Sequence, residues 1–167
     1  MYEMEEHTIQ LLANYDLDII ELDISFEQIK GILCLKEFKK LKKLDCDCNQ
    51  ITSLVNLPPS LIELNCDSNQ ITNLDNLPSS LELLDCRSNQ ITSLDNLPLS
   101  LIELYCDSNE IKNLDNLPSN LTILYCSENQ ITSLDNLPSS LRELDCEDNE
   151  INIVELKQKY PKIIFKN

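Results

Sequence analysis

Glycine and histidine each occur once in this 167-residue sequence, and tryptophan does not occur at all. Each scarcity removes a kind of chemistry. A phosphate-cradling loop needs several glycines so that backbone N–H groups can close on the anion, and Gly31 alone cannot build one. With His7 as the only imidazole, a multi-histidine metal cluster cannot form, and a Ser-His-Asp triad would depend on one residue beside the chain start. Only 13 residues are Lys or Arg against 29 Asp or Glu, a formal charge of −16. Nucleic acid and anionic membrane are therefore poor partners, because phosphate binding draws on surplus cations. No run approaches the roughly 20 apolar residues of a membrane span. The first ten residues carry Glu3, Glu5 and Glu6 where a signal peptide has a basic start and an apolar run. The expectation is a cytoplasmic protein, of its own cell or of a host, with eight reduced thiols.

Apolar residues make up 42% of the chain, and their arrangement is periodic. Leu41-x-x-Leu44-x-Cys46-x-x-Asn49 returns from Leu61, Leu81, Leu101, Leu121 and Leu141 without insertion, so six units share a period of 20. The second half of each unit repeats too: Ile71, Leu74, Leu77 and Pro78 recur at Ile91, Leu94, Leu97 and Pro98, and onward to Pro138. A looser unit of 22 residues begins at Ile19, with Glu27 where Asn would stand. Leu64 and Cys66 alternate with Glu63, Asn65 and Asp67, the period-two pattern of a strand with one face buried. Stacked units place these strands in one parallel sheet, and the return segment, broken by proline in most units, has room only for extended or short 3₁₀ structure.

The L-x-x-L-x-C-x-x-N and I-x-x-L-x-x-L-P runs resemble the leucine-rich-repeat family over about residues 19–160. The N-L-P-x-S-L junction is similar to short repeats of secreted bacterial effectors, and the Cys- and Asn-Ile-rich wording to repeats of large DNA viruses of amoebae. The resemblance implies an α/β repeat fold: a right-handed leucine-rich-repeat solenoid with a parallel β-sheet on its concave face. One domain, residues 1–167, is expected. It divides into an N-terminal cap (1–18), the divergent repeat (19–40), six 20-residue repeats with the last modified (41–160) and a C-terminal edge strand (161–167). Met4, His7, Leu11, Leu12 and Tyr15 suggest a short amphipathic helix as the lid over residues 3–15. Val154–Tyr160 reads as a helical turn, with Lys162 and Lys166 discouraging pairing beyond the final strand.

Three columns bear on function. Asn49, Asn69, Asn89, Asn109, Asn129 and Asn149 read as scaffold, bonding the backbone of each bend where glycine is missing. Cys46, Cys66, Cys86, Cys106, Cys126 and Cys146 read as core packing, since a straight column cannot converge tetrahedrally on zinc; Cys48 and Cys34 fall outside it. Cys146-Glu147-Asp148 matches the C-x-D motif of effector ubiquitin ligases, but lies in the inward register without the helical domain that motif accompanies. No catalytic residue, metal ligand or cofactor is expected. On the concave face, positions beside the core leucines and cysteines give an acidic surface: residues 60–149 hold 16 acidic and three basic residues, a net of −13. Within it Tyr105, Tyr125, Ile123 and Leu83 form a less polar patch, with Asp45, Asp67, Asp85 and Asp107 around it. Exposed aromatics inside a charged rim are typical binding anchors. A cation held by Asp45, Asp47, Asp67 and Asp85 is the weaker reading of the same acids. The expected function is a monomeric protein-interaction module for a basic or amphipathic protein. The alternatives are the substrate-recognition half of a ubiquitin-ligase-like effector, and a self-associating structural solenoid.

Overall fold

From Leu44 to Leu144 the inward strand positions repeat every 20 residues, so each of these coils can lay its leucine on the leucine of the coil before. The structure, a computed structural model, describes residues 4–166; Met1–Glu3, in the predicted cap, and Asn167, in the predicted edge strand, lie outside the described residues. Helix α1 (Glu6–Leu12) precedes β1 (Glu21–Asp23), β2 (Lys30–Cys34), β3 (Lys43–Asp45), β4 (Gln50–Val55), β5 (Glu63–Asn65), β6 (Leu83–Asp85) and β7 (Glu103–Tyr105). Then come β8 (Ile123–Tyr125), β9 (Glu143–Asp145), α2 (Ile153–Lys159) and β10 (Ile164–Phe165). Eight strands form one parallel sheet in the order β1-β3-β5-β6-β7-β8-β9-β10. Leu44, Leu64, Leu84, Leu104, Leu124 and Leu144 stand in register at the middle of their strands, each essentially buried. Burying one such side chain contributes roughly 1.5–3 kcal/mol, which the solenoid collects coil by coil.

The bends are closed by side chains instead of glycine. Asn89 accepts from Ile71 N–H at 2.9 Å and donates to the carbonyls of Cys66, Cys86 and Arg87 at 3.0, 3.2 and 2.8 Å. The same four bonds recur at Asn69, Asn109, Asn129 and Asn149. The left-handed backbone falls one residue earlier, at Cys48, Ser68, Ser88, Ser108, Glu128 and Asp148, with φ between 48° and 53°. A second ladder was not read from the sequence: Ser80, Ser100 and Ser140 hydroxyls donate to Leu61, Leu81 and Leu121 carbonyls one coil back, at 2.5–2.6 Å.

Of the two forms expected for the convex side, the extended one is adopted, with turns and no 3₁₀ helix among the described residues. From Gln70 on, one backbone bond per coil ties this side together, as from Gln90 N–H to Ile71 O at 2.9 Å. The first two coils differ, because β2 and β4 pair there as a separate parallel sheet, with a register shift at Gly31/Ile32. Val55 stands where later coils carry Asp75, Asp95, Asp115 and Asp135, and a β-branched side chain suits a strand where aspartate does not. Among the described residues these aspartates accept from no backbone N–H of their turns. Asp95 and Asp135 accept from the hydroxyls of Ser93 and Ser133, and it is Asp95 N–H that donates, to Ser93 Oγ.

The ends are covered differently. Helix α1 buries Thr8 and Leu12, with Met4, Leu11 and Tyr15 packed against the core; His7 points outward and meets the Glu27 carbonyl at 2.8 Å. Tyr15 donates to the Asp23 carbonyl at 3.3 Å, which occupies part of the outer edge of β1. Helix α2 is capped by Asn152, whose side chain accepts from Glu155 N–H at 3.3 Å, and buries Leu156 under the last coil.

Candidate functional site

The six column cysteines are 0–2% exposed, and all eight thiols are free. Cys46, Cys106 and Cys126 thiols donate to the next coil's Asn65, Tyr125 and Asp145 carbonyls at 3.3 Å. Burial pushes every column thiol up; at Cys146 burial, then Asp145, raises it to about 11. A thiol held that far above neutrality is a poor nucleophile, and Cys146 of the Cys146-Glu147-Asp148 match is such a buried thiol. Among the described residues no group of three or more His, Cys, Asp or Glu converges as a metal site would require.

The sheet carries Asp45, Leu83, Asp85, Tyr105, Ile123 and Tyr125 on its strands, and Asp67 and Asp107 follow two residues after β5 and β7. Register pairs Asp85 with Tyr105, Tyr105 with Tyr125, and Tyr125 with Asp145. Leu83, Glu103, Ile123 and Glu143 line the column beside them, all half-buried. The two tyrosine rings meet edge to face, centroids 5.2 Å apart at 84°. Tyr105 donates its hydroxyl to Glu103 at 2.8 Å, and Tyr125 donates to Glu143. The Glu143 bond, then burial, pushes the Tyr125 phenol up to about 12. Toward β1 a shallow groove of about 380 Å³ runs over Asp23, Lys43, Asp45, Glu63 and Asn65 to Leu83.

The four aspartates named from sequence are not equivalent. Asp85 is buried to 9% exposure and forked by Arg87, Nε to Oδ1 at 2.9 Å and a second guanidinium nitrogen to Oδ2 at 2.5 Å. It is therefore not a free steering charge. The Arg87 guanidinium also lies 6.0 Å from the Tyr105 ring centroid. Arg87 was visible in the sequence as the one basic residue of its column, but only the fold puts it between an acid and a ring. Asp107 accepts from Ser127 N–H at 2.9 Å, and burial raises its carboxyl despite that bond. Asp45 accepts from the Asn65 amide at 3.1 Å, and Asp67 from the Ser68 hydroxyl at 3.1 Å.

The fold can now be set beside known ones. A solved leucine-rich-repeat domain of a Shigella effector superposes with a TM-score of 0.71 at 23% identity, covering 95% of this chain and 86% of that one. The chain has the leucine-rich-repeat fold. InlJ of Listeria monocytogenes, whose functional domain is described as including a cysteine ladder, matches with a TM-score of 0.63 and 31% identity over 86% of this chain. YopM of Yersinia enterocolitica matches with 0.52 and 30% over 79%. This chain spans 39% and 40% of the lengths of the InlJ and YopM chains. No family model and no curated protein matches. As in other leucine-rich repeats, the strands offer one continuous face on which side chains vary while the scaffold repeats. No helix among the described residues is long and apolar enough to cross a membrane.

Proposed function

We propose that residues 1–167 act as one leucine-rich-repeat interaction module that binds a protein with a basic or amphipathic surface on its concave sheet. The observation that carries this reading is the Tyr105–Tyr125 pair, two half-buried rings on a face rich in carboxylates. Rings already ordered by Glu103 and Glu143 lose little further freedom when a partner covers them, which favours their use as anchors. Asp45, Asp67 and Asp107 contribute the negative field that draws a basic surface in, and Ile123 and Leu83 contribute apolar contact area. The reading is of a non-enzymatic, monomeric protein working in a cytoplasm, its own or a host's. Likeness to effector repeat domains supports binding as the role.

The test starts from affinity capture on the folded chain. With the captured partner, Tyr105→Ala combined with Tyr125→Ala should accelerate dissociation and weaken binding by about 2 kcal/mol or more, as anchors do. Asp67→Lys should instead slow association and flatten its salt dependence. Convex Asp95→Lys is the control. Loss of binding on the convex change, with the double tyrosine variant unaffected, overturns the concave-face reading.

A further inference from the structure

Because the coils are translations of one another, a position filled in one coil can be compared with its image one coil on. Arg87 sits beside the Tyr105 ring of the following strand. Twenty residues later the image of Arg87 is Asp107, and the ring beside it is Tyr125. The surface thus holds a guanidinium against one ring and a carboxylate against the next. Tyr125 is flanked by Asp107, whose carboxylate accepts from Ser127 N–H at 2.9 Å, and by Asp145, its partner on β9. Lys166 is spent on Glu143 at 3.2 Å, and among the described residues neither Asp107 nor Asp145 is in an ion pair.

Resting on the concave-face reading, we infer that the Tyr125 ring, walled by Tyr105, Asp107 and Asp145, is a subsite for one arginine side chain of the partner. Arg87 demonstrates the mode within the chain itself: a planar guanidinium over a tyrosine face, with its N–H fork on a carboxylate. Guanidinium suits such a site better than ammonium, because it stacks and forks at once and sheds water more readily. The rings stand nearly perpendicular, so a flat cation can face one while its edge meets the other. The Asp107 and Asp145 carboxylates, hydrogen-bonded to Ser127 but in no ion pair among the described residues, lower the potential where the cation must rest.

The experiment uses the whole chain and the blocked tripeptide acetyl-Gly-Arg-Gly-amide, with its citrulline counterpart as an uncharged control of the same shape, followed by tyrosine ring signals in NMR. The arginine peptide should shift the Tyr125 signals saturably and bind about five-fold tighter than the citrulline peptide, in keeping with roughly 1 kcal/mol for an exposed cation–ring contact. Asp107→Arg, which repeats the Arg87 arrangement one coil on, should abolish the response, and so should Tyr125→Leu. Arg87→Ala should make the Tyr105 signals respond as well. Equal response to both peptides on the unaltered chain overturns the inference whether or not any variant folds. So does an undiminished response in a folded Asp107→Arg protein. A partner that docks on the concave face without regard to its arginines sinks the subsite alone. Peptide binding at Tyr125 alongside a partner that docks on the convex side upholds the subsite and sinks the proposed function instead.

Discussion

Single side chains in this molecule divide into those whose surroundings are made by backbone and those whose surroundings are made by other charges. The thiol column belongs to the first kind. Native protein should react with a thiol reagent at Cys34 and more slowly at Cys48, whose thiol is raised by desolvation and then by Asp47. The six column cysteines should stay protected until denaturant is added, as counted by mass spectrometry; prompt labelling of all eight would rule out a closed core. Asp107 combines the two, governed first by burial and a backbone N–H and after them by the Asp145 charge. Its folded pKa is raised, chiefly by burial, above the unfolded value near about 3.9, so its ionised form costs stability at neutral pH. The cost is present in full above the folded pKa and vanishes once pH falls below the unfolded one. Asp107→Asn keeps an oxygen for Ser127 N–H and removes the charge. The variant should therefore melt higher than the parent at pH 7, with the difference closing as pH approaches 4, near the ordinary aspartate value. A variant that melts lower at pH 7 would mean that the charge is compensated.

At the scale of one coil, the bend is the weakest place to cut. Asn89→Ala strands Ile71 N–H and the Cys66, Cys86 and Arg87 carbonyls in the middle of the stack, so a loss of about 1–3 kcal/mol is expected in urea unfolding. Asn149 makes the same bonds but is partly exposed, and water can replace it, so Asn149→Ala should cost less. Equal losses would show that burial does not matter to this ladder. These elements were legible in the sequence because strand, bend and return each repeat at a fixed spacing, and identical spacing forces identical packing. The β2–β4 sheet was not legible, since it depends on Val55 and on a register shift in the one irregular unit. Nor were the Arg87 fork and the tyrosine–glutamate bonds, because they join residues on neighbouring or alternate positions whose side-chain directions only the folded sheet decides. Which acids of the candidate surface are paired was not legible either, because Asp85 finds Arg87 only in the folded sheet.

For the molecule as a whole, stability is a sum of coils and of the contacts between nearest neighbours. Deleting residues 61–80 removes one full period, so β3 should pair with β6 in the register that β5 now uses. That shortened chain should remain folded by circular dichroism, with a lower urea midpoint and a smaller m-value, since less surface is exposed on unfolding. Deleting residues 61–70 breaks the period and should abolish cooperative unfolding; survival of a sharp transition would refute the translational account. The direction of the asparagine bonds adds an order in time. Ile51 N–H waits for Asn69, Ile71 N–H for Asn89, and Ile91 N–H for Asn109, each acceptor arriving from the coil made later. In a chain emerging from the ribosome, the Ile N–H of each newly finished coil therefore stays without its acceptor until the next turn of synthesis delivers the asparagine that seals it.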